Sequence, residues 1–134
     1  MALIWTPALL TGLDWQDNQH KDLFAKINEF IDAMNKGMAQ DDLTGVFTFL
    51  GNYVRTHFKQ EEAAMDKHSY PERTSHLALH KTFMDNIGVL QEGLKKQEDK
   101  QRLAIQARKL LADWFFEHVS KTDKKLGGFL VAHR

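Results

Sequence analysis

The sequence predicts an all-α protein, an antiparallel up-down-up-down four-helix bundle with an N-terminal arm and a short C-terminal tail. Apolar residues recur at steps of three and four along four stretches of the 134-residue chain, which is the period of one helical face. Proline occurs only at Pro7 and Pro71, so long helices are permitted almost everywhere. Four such helices joined by short loops favour the antiparallel arrangement. We expect a single domain over residues 1–134.

The first two apolar stripes lie in the N-terminal half of the chain. The first covers residues 20–34, and Gly37 predicts the end of its helix. The second covers residues 43–65, with Asp41 or Asp42 as the expected N-cap. At about 3.6 residues per turn, the first stripe spans about four helical turns and the second about six.

The second two stripes follow a break at residues 68–71, which contain Pro71. The third stripe covers residues 76–94 and the fourth covers residues 103–119. Residues 95–102 between them are nearly all polar, which predicts a turn.

The remaining segments lie outside the four stripes. Residues 1–14 form the predicted N-terminal arm, and we expect Trp5 and Leu9 to fold it against the bundle. Residues 124–134 contain two consecutive glycines and form the predicted C-terminal tail.

The composition excludes several classes of function. Lys and Arg number 18 and so do Asp and Glu, so no basic field exists to attract nucleic acid or an anionic membrane. The absence of cysteine excludes disulfides, thiolate zinc sites and iron–sulfur clusters. No apolar run approaches the length of a membrane span, and the first residues lack the pattern of a signal peptide. We therefore expect a cytoplasmic location. Separately, we expect the protein to be a monomer.

Five of the seven histidines and two carboxylates lie on the core-facing stripes, and they are the candidate metal ligands. In an antiparallel bundle, the start of one helix meets the end of the next, so these donors should converge at one end. Five imidazoles and two carboxylates are too many for one metal ion and suit two adjacent ions. The set consists of His20, His57, Glu61, His76, His80, His118 and Asp123.

The spacing of these donors fits a helix at two pairs and not at a third. His57 precedes Glu61 by four residues, and His76 precedes His80 by four, so each pair shares a helical face. Five residues separate His118 from Asp123, a rotation of about 140° in a regular α-helix. We therefore predict a π-type turn or a helix end at residues 120–123.

A single buried histidine is usually a hydrogen-bonded core residue, and one His-x-x-x-His alone is a weak signal. Burying five histidines and two carboxylates together without a metal would be costly, which favours a metal site. His68 and His133 fall in a loop and in the tail, so we expect them to be solvated. Glu62 and Glu117 lie about 100° around the helix from the ligand face, so we expect them at the surface.

Ligand arithmetic then indicates an open position. Imidazole and carboxylate together suit iron, and two six-coordinate ions offer about twelve sites. Two bridging carboxylates, five imidazoles and one bridging oxide or hydroxide fill about eleven of those sites. The remaining site could take a small diatomic ligand.

These residues make the chain resemble the hemerythrin family, and within it the stand-alone bacteriohemerythrins. The resemblance covers nearly the whole chain, with all seven donors in order. It rests on Gly12, Asp14, Gln19-His20 with Leu23, His57-Phe58-x-x-Glu61-Glu62, His76-x-x-x-His80 and Trp114-x-x-x-His118-x-x-x-x-Asp123.

The resemblance implies reversible O₂ binding at a non-haem di-iron centre, for storage, delivery or buffering of O₂ rather than catalysis. By analogy, His76, His80 and His118 hold one iron, and His20 and His57 hold the second, where O₂ binds. Glu61 and Asp123 bridge the two irons together with an oxide or hydroxide. The partner is O₂, and delivery to a partner oxidase is a further expectation.

Apolar residues beside the histidines predict a ligand pocket that keeps water from bound O₂. They are Leu23, Phe58, Trp114, Phe115 and Val119.

Two positions depart from the family pattern. Phe115 stands where the family commonly has leucine, so O₂ access or lifetime should differ. Leu126 replaces an aromatic residue that follows the aspartate in many members, which bears on the support of Asp123.

Other functions remain as alternatives. A di-iron oxidase or peroxidase-like enzyme of the ferritin type would use Glu-x-x-His pairs, and the sequence contains none. A sensor of O₂, NO or iron would act through a partner protein, since we expect no output domain after the bundle. A structural zinc site would normally be closed, and is the weakest alternative.

Overall fold

A computed structural model describes residues 3–134, and it contains four long helices packed as a bundle. Helix α1 covers Asp14–Asn35, α2 covers Gln40–Lys67 and α3 covers Arg73–Lys95. A fourth helix, α4, covers residues 100–132 as five consecutive helical segments. Helix α1 packs on α2 and α4, and α3 packs on the same two helices. The predicted four-helix bundle is therefore confirmed.

Helix α4 contains two π-helical segments. It begins as an α-helix over Lys100–Ala107, becomes π-helical over Arg108–Trp114, and returns to α-helix over Phe115–Glu117. A second π segment covers His118–Asp123, and an α-helix over Lys124–Ala132 follows. The irregular turn predicted near residues 120–123 is therefore present.

Short loops with identifiable local causes join the helices. Gly37, with φ of 72°, ends α1, and Met38 donates its N–H to the carbonyl of Ala33 at 3.1 Å, as in a Schellman motif. Ser69, with φ of 52°, follows the end of α2 just before Pro71. The side chain of Asp99 caps α4 by accepting the N–H of Gln101 at 2.8 Å.

Two sequence predictions about the ends of helices were wrong. The N-cap of α2 is Ala39, and Asp41 and Asp42 lie inside the first turn, where their charge still favours the positive end of the helix. The predicted tail is the helical segment Lys124–Ala132. The buried side chains of Leu126 and Leu130 offset the low helix propensity of its glycines.

The N-terminal arm packs against the bundle, as predicted. A short 3₁₀ turn covers Pro7–Leu9, and Leu9 is buried in the main core. The half-buried ring of Trp5 packs on the same core. Asn28 ties the arm to α1, since its side chain both accepts the N–H of Leu3 at 2.7 Å and donates to its carbonyl at 2.8 Å.

Two apolar clusters divide the interior. The larger fills most of the bundle and includes Phe58 on α2 and Val119 on α4. The smaller consists of Leu13, Met65, Tyr70, Leu126 and Leu130. Glu61 lies between Phe58 and Met65 along α2. A polar layer therefore separates the two clusters. Each buried Leu or Phe side chain contributes about 1.5–3 kcal/mol to the free energy of folding relative to an exposed one. The packing of the two clusters therefore fixes the helices on both sides of the polar layer.

The helices of this bundle do not have the character of membrane spans. Among residues 3–134, none combines the length and the apolar character that a bilayer crossing requires.

Candidate metal centre

The structure brings all seven candidate ligands together in the polar layer. None of these side chains is more than 3% exposed. They form two groups of potential ligand atoms, each within 4.8 Å of one another. The five-donor group consists of Glu61, His76, His80, His118 and Asp123, and the four-donor group consists of His20, His57, Glu61 and Asp123. Both carboxylates belong to both groups.

Each carboxylate points one oxygen at each group. Oε1 of Glu61 lies 3.2 Å from Nε2 of His80, and its Oε2 lies 3.2 Å from Nε2 of His57. Oδ1 of Asp123 lies 3.0 Å from Nε2 of His118, and its Oδ2 lies 2.9 Å from Nε2 of His20. Two carboxylates arranged in this way could bridge two metal ions.

Helical geometry explains how the donors reach this layer. His57 and Glu61 lie one turn apart on α2, and their Nε2 and Oε2 atoms are 3.2 Å apart. His118 and Asp123 stand at the two ends of the second π segment. A π-helix has a wider turn than an α-helix, so residues five apart share one face. The side chain of Asp123 therefore reaches the imidazole of His118.

Several ligand atoms lie close to one another yet make no hydrogen bond, which fits a bound metal. Among residues 3–134, buried Nε2 atoms without a hydrogen bond include those of His57, His76, His80 and His118. One oxygen of each carboxylate, Oε1 of Glu61 and Oδ1 of Asp123, also has no hydrogen bond. Buried polar atoms usually have partners because leaving them unpaired is costly. Metal ions would supply partners to the imidazole nitrogens and carboxylate oxygens together.

The charges of the metal-free cluster favour the binding of cations. Burial has the largest influence on the pKa of His57 and lowers it, but the carboxylates of Glu61 and Asp123 raise it to about 10. The same balance raises the pKa of His76 to about 9. Burial raises the pKa of Glu61, yet His57 and His20 hold it well below 4.5. The cluster thus keeps ionised carboxylates beside imidazoles that hold protons, and metal ions can replace those protons.

Side chains from neighbouring helices orient the ligands. Oε1 of Gln19 lies 2.6 Å from Nδ1 of His57. Oε2 of Glu62 lies 2.9 Å from Nδ1 of His80, and this glutamate is partly buried. The expectation that Glu62 is a surface charge was therefore wrong, because the next helix covers that side of α2. Both contacts fix the ring so that Nε2 faces the cluster.

A third polar contact involves the buried side chain of Gln16. Its Nε2 donates a hydrogen bond to Oε2 of Glu61 at 2.7 Å. The sequence prediction missed Gln16, although a signal existed, since a glutamine stands one turn before His20 on the core-facing stripe of α1.

Two of the three aromatic residues of the expected pocket contact histidines directly. Phe58 stacks on His80 with ring centroids 3.7 Å apart, and Trp114 stacks on His118 at 4.8 Å. The other three expected pocket residues are fully buried in the main core, namely Leu23, Phe115 and Val119. Apolar side chains thus cover the cluster on the side of the main core.

The histidines and the glutamate that were not expected to bind metal, apart from Glu62, lie outside the two donor groups. His68 is half-buried at the end of α2, and His133 is exposed after α4. Neither belongs to the two donor groups. Glu117 is exposed and pairs with Lys121 at 2.8 Å, as expected for a surface charge.

Comparisons with known proteins agree with this architecture. Bacteriohemerythrin from Methylococcus capsulatus is 31% identical over 134 residues, covering 98% of this chain and 100% of that protein. Myohemerythrin-1 from Phascolopsis gouldii is 29% identical, covering 95% and 93%. A crystal structure of wild-type hemerythrin superposes with a TM-score of 0.84 at 29% identity, covering 97% of this chain and 98% of that one.

The family model of the hemerythrin HHE cation-binding domain matches residues 11–130. This match includes all seven donors and nearly all of the four-helix bundle. The chain belongs to the hemerythrin family.

Proposed function

We propose that this protein binds O₂ reversibly at a non-haem di-iron centre. His76, His80 and His118 would hold one iron, His20 and His57 the other, and both carboxylates would bridge them. The observation that supports the proposal is the inequality of the two donor groups, five ligand residues against four. A shared oxide or hydroxide would bring the first ion to about six ligands and the second to about five. The second ion would keep one position for O₂.

When bound, two iron(II) ions would supply the two electrons that O₂ accepts. The protein would hold the ligands in place, supply negative charge and exclude water from the centre. Glu61 and Asp123 give the centre negative charge in a layer closed to solvent, since both are 0% exposed. The apolar residues over the histidines keep out water and protons, which would otherwise promote irreversible oxidation.

A carrier fits this site better than an oxidase does. All the titratable side chains of the two donor groups are assigned as ligands, so none of them is free to act as a general acid or base.

Four further expectations stay predictions. They are the single domain over residues 1–134, the monomeric state, the cytoplasmic location and delivery of O₂ to a partner oxidase.

The test is an optical titration with O₂ after iron analysis. Purified protein should contain about two iron ions per chain. The reduced protein should gain a charge-transfer band in air and lose it again under argon, over repeated cycles. As a control, His68→Gln should change neither the iron content nor the band, because His68 lies outside both donor groups.

Other outcomes would contradict the proposal. Irreversible oxidation with release of hydrogen peroxide would favour the oxidase alternative. A protein expressed with ample iron that binds none would exclude both functions.

A further inference from the structure

Gln16 is buried in the polar layer, and its role in the proposed centre goes beyond the seven ligands. Its side chain is 0% exposed, and its Nε2 lies 2.7 Å from Oε2 of Glu61. We propose that Gln16 is a positioning residue that holds this oxygen and raises the reduction potential of the ion bound by His20 and His57. This inference rests on the proposed di-iron function.

The hydrogen bond reaches only one of the two metal positions. Oε2 of Glu61, which accepts it, faces His57 at 3.2 Å and His20 at 3.8 Å. The other oxygen, Oε1, faces the five-donor group. The amide of Gln16 therefore acts on the side with the smaller donor group.

The orientation of the amide follows from its neighbours. A carboxylate oxygen can only accept, so the atom of Gln16 at 2.7 Å must be the N–H donor. Oε1 of Gln16 then points toward Gly127, where an added Cβ would lie 3.0 Å away. Because Gly127 has no side chain, α4 can approach Gln16 closely on this side. Oε1 of Gln16 makes no hydrogen bond there, so the contact with Glu61 fixes the orientation of the amide.

The chemical effect follows from charge. An N–H donor draws electron density from the carboxylate oxygen, so Glu61 becomes a weaker electron donor to the ion at Oε2. Weakening an anionic ligand costs iron(III) more stabilisation than it costs iron(II), which raises the reduction potential. In this buried layer, the effect is less screened than it would be in water. A higher potential slows the irreversible loss of electrons from the reduced centre.

The test compares Gln16→Leu with wild type and with Gln91→Leu. Leucine removes the N–H and keeps most of the volume. Gln91 is a half-buried glutamine on α3 that contacts Thr48 at 3.4 Å, so it controls for the loss of a glutamine amide. Spectroelectrochemistry should show that Gln16→Leu favours iron(III) over iron(II) about tenfold more than wild type does. This corresponds to a reduction potential lower by about 59 mV for a one-electron couple. Spontaneous oxidation should speed up, the iron content should match wild type, and Gln91→Leu should change none of these values.

Three further results would separate the possible failures. A Gln16→Leu protein with a lower melting temperature and an unchanged potential would overturn the positioning role while leaving the proposed function intact. Wild-type protein that takes up no iron would overturn both. If Gln16→Leu does not fold, Gln16→Met offers a similar length without the donor, and an unchanged potential there would also refute the inference.

Discussion

At the scale of single residues, Phe115 illustrates how an apolar side chain can serve the metal layer. Its ring is 0% exposed and lies 6.1 Å from the ring of Phe24 and 5.9 Å from that of Phe83. It precedes His118 by three residues, so both side chains share one side of α4. Aromatic packing of this kind leaves little room for water beside the imidazole.

We expect Phe115→Ser to weaken this barrier without removing a ligand. The iron content should stay at about two per chain, because every donor remains. Serine opens a cavity and introduces a hydroxyl, so loss of O₂-binding capacity through iron oxidation should speed up. Stability should fall by about 3–5 kcal/mol, as for other large-to-small changes in a core. Optical decay of the oxygenated protein, measured well below its melting temperature, would check the rate.

Phe115→Leu separates the effect of polarity from that of volume. Leucine keeps the wall apolar while shortening the side chain, so oxidation should stay closer to the wild-type rate than in Phe115→Ser. Equal decay rates in wild type and Phe115→Ser would show that this residue does not protect the centre.

At the scale of helices, the sequence predicted those parts of the fold that depend on local periodicity. Stripes of apolar residues predicted all four helices, and the five-residue step from His118 to Asp123 predicted a π-type turn or a helix end, of which the structure has the first. The first π segment, Arg108–Trp114, was not predicted because its apolar spacing also fits an ordinary helix. The helix at Lys124–Ala132 was missed because two glycines suggest a tail, while the close contact that requires one of them comes from the distant residue Thr11.

The same division between local and distant contacts applies to the candidate site. Six of the donors could be placed on the core-facing stripes from helical spacing alone. Asp123 could be added only by expecting an irregular turn or a helix end after His118, and the structure has a π segment there. The partners Gln19 and Glu62 act across the boundary between two helices, on His57 and His80 respectively. Which pairs meet there depends on helix rotation and offset, and these are set by packing along the whole bundle.

The two adjacent glycines of α4 give a matched pair of substitutions. At Gly127, an added Cβ would collide with Cβ of Thr11 and lie 3.0 Å from Oε1 of Gln16. Gly127→Ala should therefore destabilise the protein by about 1–3 kcal/mol through overpacking. Gly128 is exposed, and a Cβ added there would meet nothing within 4 Å, so Gly128→Ala should stabilise the helix by about 0.5–1 kcal/mol.

Urea unfolding of the iron-loaded proteins would measure both effects. The opposite signs distinguish a packed helix from a tail, because in an unstructured tail neither alanine would change the free energy of unfolding. A neutral Gly127→Ala would therefore contradict the close approach of α4 to the arm.

At the scale of the whole molecule, the buried charges make stability depend on both pH and metal. In the metal-free protein, the carboxylates raise the pKa of His57 to about 10 and that of His76 to about 9, against the lowering effect of burial. The ordinary value of 6.5 applies to the unfolded chain. The folded form therefore binds more protons than the unfolded form between these values, and it loses stability as pH rises through that window.

The carboxylates have the opposite dependence, in a lower window. Histidines hold the pKa of Glu61 well below 4.5 and that of Asp123 well below 3.8, although burial alone would raise both. Their contribution is present above those ordinary values and is lost as pH falls through the lowered ones. The metal-free protein should therefore be most stable between about pH 4.5 and 6.5.

We expect the free energy of unfolding of the metal-free protein to fall from pH 6.5 to 9, by up to about 1.4 kcal/mol per pH unit for each retained proton. Iron should reverse this trend, because metal ions bind the unprotonated Nε2 atoms and compete less with protons as pH rises. The difference in melting temperature between loaded and metal-free protein should thus widen with pH. His57→Gln should reduce the slope of the free energy of unfolding against pH in the metal-free protein by the amount that about one proton contributes. His133→Gln, outside the cluster, should leave this slope unchanged. A difference that stays constant from pH 6.5 to 9 would mean that protons and metal do not share these imidazoles.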